Sequence, residues 1–218
     1  MQTWRNTLIQ RCDHAGRMLG ARLRAYKDSD AVVVGVPPGG ALTAAALAET
    51  LHLAFDVMPC RRIAHPADPT QSIASVSTHE IVLSPLTHGI PQDYVGHQIA
   101  MIRHGLDAED RYYHDAVPRL PLKDKTVIVA EESLQSASSV MACLVGIKKE
   151  NPRKVVLALS VAAPHATAAM GREVDEVVFL RVEPNQYDAF SRESTGAESC
   201  AVKERLLRLR GLVPSERT

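Results

Sequence analysis

Two stretches of this 218-residue chain combine residue types suited to anion and sugar chemistry. The first is Val36-Pro37-Pro38-Gly39-Gly40, between the apolar run Ala31–Val36 and an alanine-rich segment. Its glycines let backbone amides approach an anion closely, and a helix starting there presents its positive end. The same glycines also serve simply to turn the chain. Spacing does not separate the two readings. The second stretch is Glu131-Glu132-Ser133-Leu134-Gln135-Ser136-Ala137-Ser138-Ser139. Adjacent carboxylates at the end of an apolar strand suit sugar hydroxyls or a metal, and the small hydroxyl residues after them suit a phosphate. Equally, Ser133 or Ser136 caps the next helix, with both acids near its positive end. An anion bound at 133–139 requires Glu131 and Glu132 to point away from it.

Other constellations are weaker. The nine histidines are scattered, with no H-E-x-x-H, and His97, His104 and Asp107 read as one solvated helix face. No metal ligand set is assigned. Cysteines at 12, 60, 143 and 200 form neither C-x-x-C nor a disulfide framework. G-x-S-x-G, G-x-G-x-x-G and G-x-x-x-x-G-K-[ST] are missing, which disfavours serine hydrolases, dinucleotide sites and P-loops.

The elements that position these loops follow from periodicity. Apolar residues recur at helical spacing from Trp4 to Tyr26. Ala31–Val36 reads as a buried strand, Ala41–Leu51 as a helix and Phe55–Pro59 as a second strand, a right-handed βαβ unit. The pattern returns with a strand at Thr126–Ala130, a helix at Ala137–Lys149 and a strand at Lys154–Ala162. A short helix at Pro164–Met170, a strand at Glu176–Leu180 and a closing helix at Ala197–Arg210 complete it. Between the halves, residues 61–118 hold five prolines, a hairpin pattern around Ser72–Val76 and Glu80–Ser84, and one polar helix, Gln92–His114. The expected fold is α/β: a central, mainly parallel sheet flanked by helices, with 61–118 as a hood or insertion within one domain spanning 1–218. Ala31–Val36 and Thr126–Ala130 should be neighbouring inner strands.

Composition narrows the partners. Hydrophobic residues make up 45% and charged residues 23%, as in globular proteins. Basic and acidic residues number 25 each, so no global field gathers nucleic acid. Lys203, Arg205, Arg208 and Arg210 near the end do not share one helix face and read as snorkelling side chains of a packed helix. No apolar run approaches the roughly 18 residues of a membrane span, and the N-terminus shows no signal-peptide pattern. A soluble, cytoplasmic protein without membrane or nucleic-acid partners is expected.

The whole chain resembles the type I phosphoribosyltransferases, particularly stand-alone bacterial phosphoribosyltransferase-like domains. The likeness rests on VVVGVPPGGALTAAALAE (Val32–Glu49), FDVMPCRRIAHP (Phe55–Pro66) and VIVAEESLQSASSV (Val127–Val140). KVVLALSVAAPHA, VDEVVFL and the region of Tyr187 and Phe190 follow the same layout. The resemblance implies that Glu131 and Glu132 hold the ribose hydroxyls of phosphoribosyl pyrophosphate. It assigns the 5-phosphate to Ser133, Gln135, Ser136, Ala137, Ser138 and Ser139. Pyrophosphate falls to Pro38, Gly39 and Gly40, with Mg²⁺ neutralising it. Here Glu131-Glu132 replace the usual Asp-Asp, Ser133 and Ala137 replace glycines, Ser136 replaces threonine, and Pro38 replaces an arginine. Arg61 and Arg62 are placed to supply the missing cation, or are a plain solvated pair. Tyr187 and Phe190 stack on a base or pack the closing segment. Two functions follow. One is transfer of phosphoribosyl to a nitrogenous base in nucleotide metabolism, with a homodimer as in much of the family. The alternative is a catalytically impaired phosphate- or nucleotide-binding regulatory domain on the same fold.

Overall fold

The structure, a computed structural model, describes residues 2–134, 140–182 and 196–213. In chain order α1 (Gln2–Arg22), β1 (Val32–Gly35), α2 (Gly39–Leu51) and β2 (Ala54–Val57) come first. Next are β3 (Cys60–His65), β4 (Asp68–Ser77), β5 (Ile81–Leu83) and α3 (Gln92–His114). The second half holds β6 (Thr126–Leu134), α4 (Met141–Lys149), β7 (Lys154–Ala162), α5 (Pro164–Met170), β8 (Glu176–Val182) and α6 (Gly196–Leu209).

Five strands form a parallel sheet in the order β2-β1-β6-β7-β8. The two apolar runs read as inner strands are indeed neighbours, with Val33 opposite Ile128 and Gly35 opposite Ala130. Their continuous hydrophobicity has a simple cause: both faces are covered. Val33, Ile128 and Ala130 join a core with residues of α1, α2 and α6. Val32, Val34, Val127 and Val129 join the opposite core, with Leu144 and Ile147 of α4. Helices α1 and α2 approach closely because Gly16 has no side chain; a Cβ there would lie 2.5 Å from the Thr43 carbonyl.

The segment expected as an irregular cover is more regular than its prolines suggest. The β4–β5 hairpin is present, and β3 adds a third antiparallel strand that the sequence reading missed. Helix α3 has the expected bounds and lays Val95 and Leu106 on this small sheet, against Ile63, Ile73 and Val76. A charged knot ties the end of α3 to the main sheet. His114 Nε2 lies 3.0 Å from Asp56 Oδ1 of β2, and its Nδ1 lies 3.0 Å from Asp110 Oδ1. Arg119 pairs with Asp110, and Asp56 Oδ2 accepts the Leu120 amide at 2.7 Å.

The basic residues of the last helix are spent within the chain. Lys203 pairs with Asp115, Arg205 with Asp13 and Arg208 with Glu49, while Arg210 donates to the Pro118 carbonyl. Val202 and Leu206 are buried beneath them. This is a packed closing helix. No helix among the described residues is long and apolar enough to cross a membrane.

Candidate functional site

From β1 the chain crosses to β2 on one side; from β6 it crosses to β7 on the other. Strand order therefore reverses between β1 and β6, and the crevice beyond their carboxyl ends is where open α/β sheets bind ligands. The first stretch and the described part of the second, Glu131–Leu134, lie there. Gly35 leads into the first loop, and Val36 N–H donates to the Ala130 carbonyl at 3.4 Å, tying that loop to β6. The Pro37–Pro38 bond is cis. Neither proline has an N–H, so the loop's amide donors begin at Gly39 and Gly40, in the first turn of α2.

These glycines are required by packing. A Cβ on Gly39 would lie 2.1 Å from Glu132 Oε2. One on Gly40 would lie 2.8 Å from the Ala130 carbonyl oxygen and 3.1 Å from Glu131 Cα. The loop and the acids are thus in direct contact.

The second stretch departs from expectation. Strand β6 does not stop at Ala130 but runs on to Leu134, pairing Glu131 with Leu159 and Ser133 with Val161 of β7. Ser133, expected in a phosphate loop, is therefore a strand residue by backbone. Because side chains alternate along a strand, the two adjacent acids face opposite sides of the sheet. Glu131 turns to the side of Arg61 and Cys143, whereas Glu132 turns to Arg11 of α1 and Glu198 of α6, whose charges it feels. They flank the crevice rather than forming a pair on one face. Burial pushes the Glu131 carboxyl up to about 8; the Glu132 amide donated to its Oε1 at 2.9 Å works against that, and the Arg61 charge does so more weakly. Glu132 is also raised, chiefly by burial, with Arg11 opposing and Glu198 adding to the rise.

Helix α4 begins at Met141, later than the expected Ala137, and its N-terminus is already engaged. The Ala142 amide donates to Ser75 Oγ at 3.1 Å, and the Cys143 amide donates to the Cys60 sulfur. Ser75 and Cys60 come from the small antiparallel sheet, so that sheet caps α4 from outside. The amides of Ala142 and Cys143 are thus taken up by the small sheet. Gln135, Ser136, Ala137, Ser138 and Ser139 lie outside the described residues, as do Tyr187 and Phe190.

The two arginines after β2 separate for the same reason as the two acids. Arg61 reaches the first loop: Nη1 donates to the Pro37 carbonyl at 3.2 Å and to the Cys60 carbonyl at 2.9 Å. Its Nη2 pairs with Glu109 of α3 at 2.8 Å. Arg62 faces the other way and donates to the Pro69 and Gln71 carbonyls at the edge of the small sheet. The structure brings Pro38, Gly39, Gly40, Arg61, Glu131 and Glu132 together and leaves Arg62 out.

Sequence reading passed over Arg11, Glu109 and Glu198. Glu109 carried a legible signal, since Ile102, Leu106, Glu109 and Tyr113 follow the three- and four-residue spacing of one helix face. An acid on the stripe that turns inward needs a partner. Arg11 and Glu198 lie on helices far apart in sequence, and no local pattern marks them.

Replacing Glu131 by glutamine tests the electrostatics. Its folded pKa is raised from 4.5 to about 8, so the folded state holds a proton that the unfolded chain releases. Stability therefore falls as pH rises from 4.5 to about 8 and levels off above. Glu131→Gln keeps the acceptor for the Glu132 amide and removes this burden. Urea unfolding at pH 8 should show a gain of about 1–2 kcal/mol, moderated by the side chain's residual exposure. Equal stability of the two proteins at pH 8 contradicts a buried, reluctantly ionised Glu131.

Comparisons with known proteins converge on one family. A sequence profile described as the Phosphoribosyl transferase domain matches residues 6–188. The Mycobacterium tuberculosis protein named "Putative phosphoribosyl transferase Rv0571c" is 22% identical over 170 residues, which cover 76% of this chain and 38% of that one. The chain thus spans well under half the length of that curated relative. Among solved structures, TT1426 from Thermus thermophilus superposes with a TM-score of 0.72 at 27% identity, covering 91% of this chain and 97% of its own. AQ2163 from Aquifex aeolicus shares the fold at 12% identity and a TM-score of 0.52, with 86% and 88% of the two chains covered. The profile match takes in β1 to β8 together with both loops of the crevice, and the chain belongs to the phosphoribosyl transferase domain family.

Proposed function

We propose that the chain binds phosphoribosyl pyrophosphate in the crevice between β1 and β6 and transfers its phosphoribosyl group to a nitrogenous base. One observation carries this reading: Glu131 and Glu132, on opposite faces of β6 near its carboxyl end, are in contact with Gly39 and Gly40 at the reversal of strand order. In the transfer, the C1–O bond to pyrophosphate breaks and a C1–N bond to the base forms. Pyrophosphate leaves with the electron pair, and the base gives up a proton. No protein nucleophile is needed, only a held sugar, a held leaving group and stabilisation of charge at the ribose. Glu131 and Glu132 are assigned to the ribose hydroxyls. Gly39, Gly40 and Arg61 are assigned to pyrophosphate. The stretch 133–139 is assigned to the 5-phosphate.

Mg²⁺ fits this scheme as a companion of the pyrophosphate. The described residues hold no group of three or more His, Cys, Asp or Glu side chains able to cage an ion. Mg²⁺ needs no such cage when substrate phosphates and water supply most of its ligands. When bound it neutralises the leaving group. The reading further takes residues 61–118 as the hood of a single domain, and the protein as a cytoplasmic, homodimeric participant in nucleotide metabolism.

The test is pyrophosphate release from phosphoribosyl pyrophosphate and Mg²⁺ with a panel of purine and pyrimidine bases, beside calorimetric titration of the same ligand and of ribose 5-phosphate. Release that depends on one base is the expected result. Binding without release from any base identifies an impaired binding domain instead. Failure of both ligands to bind at millimolar concentration overturns the reading.

A further inference from the structure

We propose that Glu109 is a positioning residue for the pyrophosphate end of this crevice: it holds the Arg61 guanidinium against the first loop, where that cation stands in for the one Pro38 lacks. The inference rests on the phosphoribosyl reading and adds to it a second residue, on the helix of the cover.

The geometry is specific. The first loop contains no side-chain cation, and its two prolines offer no amide. Arg61 comes to it from β3, 24 residues from Pro37, and its Nη1 is committed to the Pro37 and Cys60 carbonyls. Nη2 is bound by Glu109 Oε2 at 2.8 Å. A guanidinium has five N–H donors in a fixed plane, so the Nε hydrogen and one on Nη2 remain for an anion. The Glu109 side chain is only 16% exposed. Among the described residues its other oxygen, Oε1, is buried and has no hydrogen-bond partner. Its polar contact within the described chain is therefore Arg61 alone. A buried carboxylate spent on one arginine restricts that long side chain before any ligand arrives, and lost rotamer freedom is a main cost of binding through arginine.

An ordinary stabilising ion pair has the same appearance, and the two differ in how they couple to ligand. Calorimetry with Mg²⁺–pyrophosphate and with ribose 5-phosphate would be run on the full chain and on Glu109→Gln, Glu109→Ala, Arg61→Ala and the Arg61→Ala/Glu109→Ala double variant. Thermal midpoints would be recorded beside them. Arg61→Ala should weaken pyrophosphate binding about 30-fold and Glu109→Gln about tenfold, the scale of a charge-assisted hydrogen bond. The double variant should match Arg61→Ala, because Glu109 acts only through Arg61. Ribose 5-phosphate affinity should stay within about twofold throughout. Pyrophosphate affinity that is unchanged or tighter in Glu109→Gln, or a further loss from Glu109→Ala in the Arg61→Ala background, overturns the role of Glu109. Wild-type protein that binds neither probe overturns the phosphoribosyl reading itself.

Discussion

Gly39→Ala is expected to leave the fold standing and to lower the proposed phosphoribosyl transfer about 100-fold. The added methyl carbon would sit 2.1 Å from Glu132 Oε2, far inside contact distance. That atom is the end of a flexible side chain, so the carboxylate can swing aside at little cost in stability. It cannot swing aside and still meet a sugar hydroxyl in the same place, and a displacement near 1 Å at a reacting centre costs on the order of 100-fold. Gly40→Ala supplies the contrast. Its methyl would meet the Ala130 carbonyl oxygen at 2.8 Å and Glu131 Cα at 3.1 Å, both backbone atoms of an inner strand. Relief requires the strand or α2 to move, at about 1–3 kcal/mol of stability. Steady-state transfer and urea unfolding on the two variants check the pair. A Gly39→Ala protein with native turnover would show that Glu132 does not act from its observed position.

The second large effect lies at the knot under the cover. His114→Ala should destabilise the protein by about 2–3 kcal/mol near pH 6, since it strips a shared partner from two largely buried carboxylates. Asp56 keeps the Val57 and Leu120 amides, and Asp110 keeps Arg119, which holds the loss to the lower end of what breaking a buried pair costs. The pH dependence has a definite sign. Burial works against the imidazolium, but hydrogen bonds and charges from Asp110 and Asp56 outweigh it and raise the His114 pKa from 6.5 to about 9. A raised basic pKa gives stability that is present in full below 6.5 and is lost as pH climbs through 9. Wild type and variant should therefore differ most at pH 6 and converge by about pH 10. Parallel stability curves across that range would mean that the histidine is not charged in the folded protein.

Much of this architecture was written in local pattern. Ala31–Val36 and Thr126–Ala130 are short, β-branched and uniformly apolar, and only a strand covered on both faces satisfies such a run. Gln92–His114 reads as one polar helix, and its bounds are those observed. The four basic residues of the closing segment, read as side chains of a packed helix, do spend their charge on Asp115, Asp13, Glu49 and a backbone carbonyl.

What sequence left open was decided by registers and faces. Cys60–His65 carries two arginines and a histidine and shows no clean alternation, so it becomes a strand only because β4 pairs with it. Glu131-Glu132 looked like two acids in one loop, but pairing with β7 extends the strand through them and sends their side chains to opposite sides. The same alternation took Arg61 to the first loop and Arg62 away from it. Residue type and order were enough to mark these groups as candidates for the chemistry. Which of them meet is a matter of period-two geometry and of contacts between segments such as Arg61 and Glu109, 48 residues apart. No local signal encodes such contacts, because their energy exists only once the sheet and its cover have closed on each other.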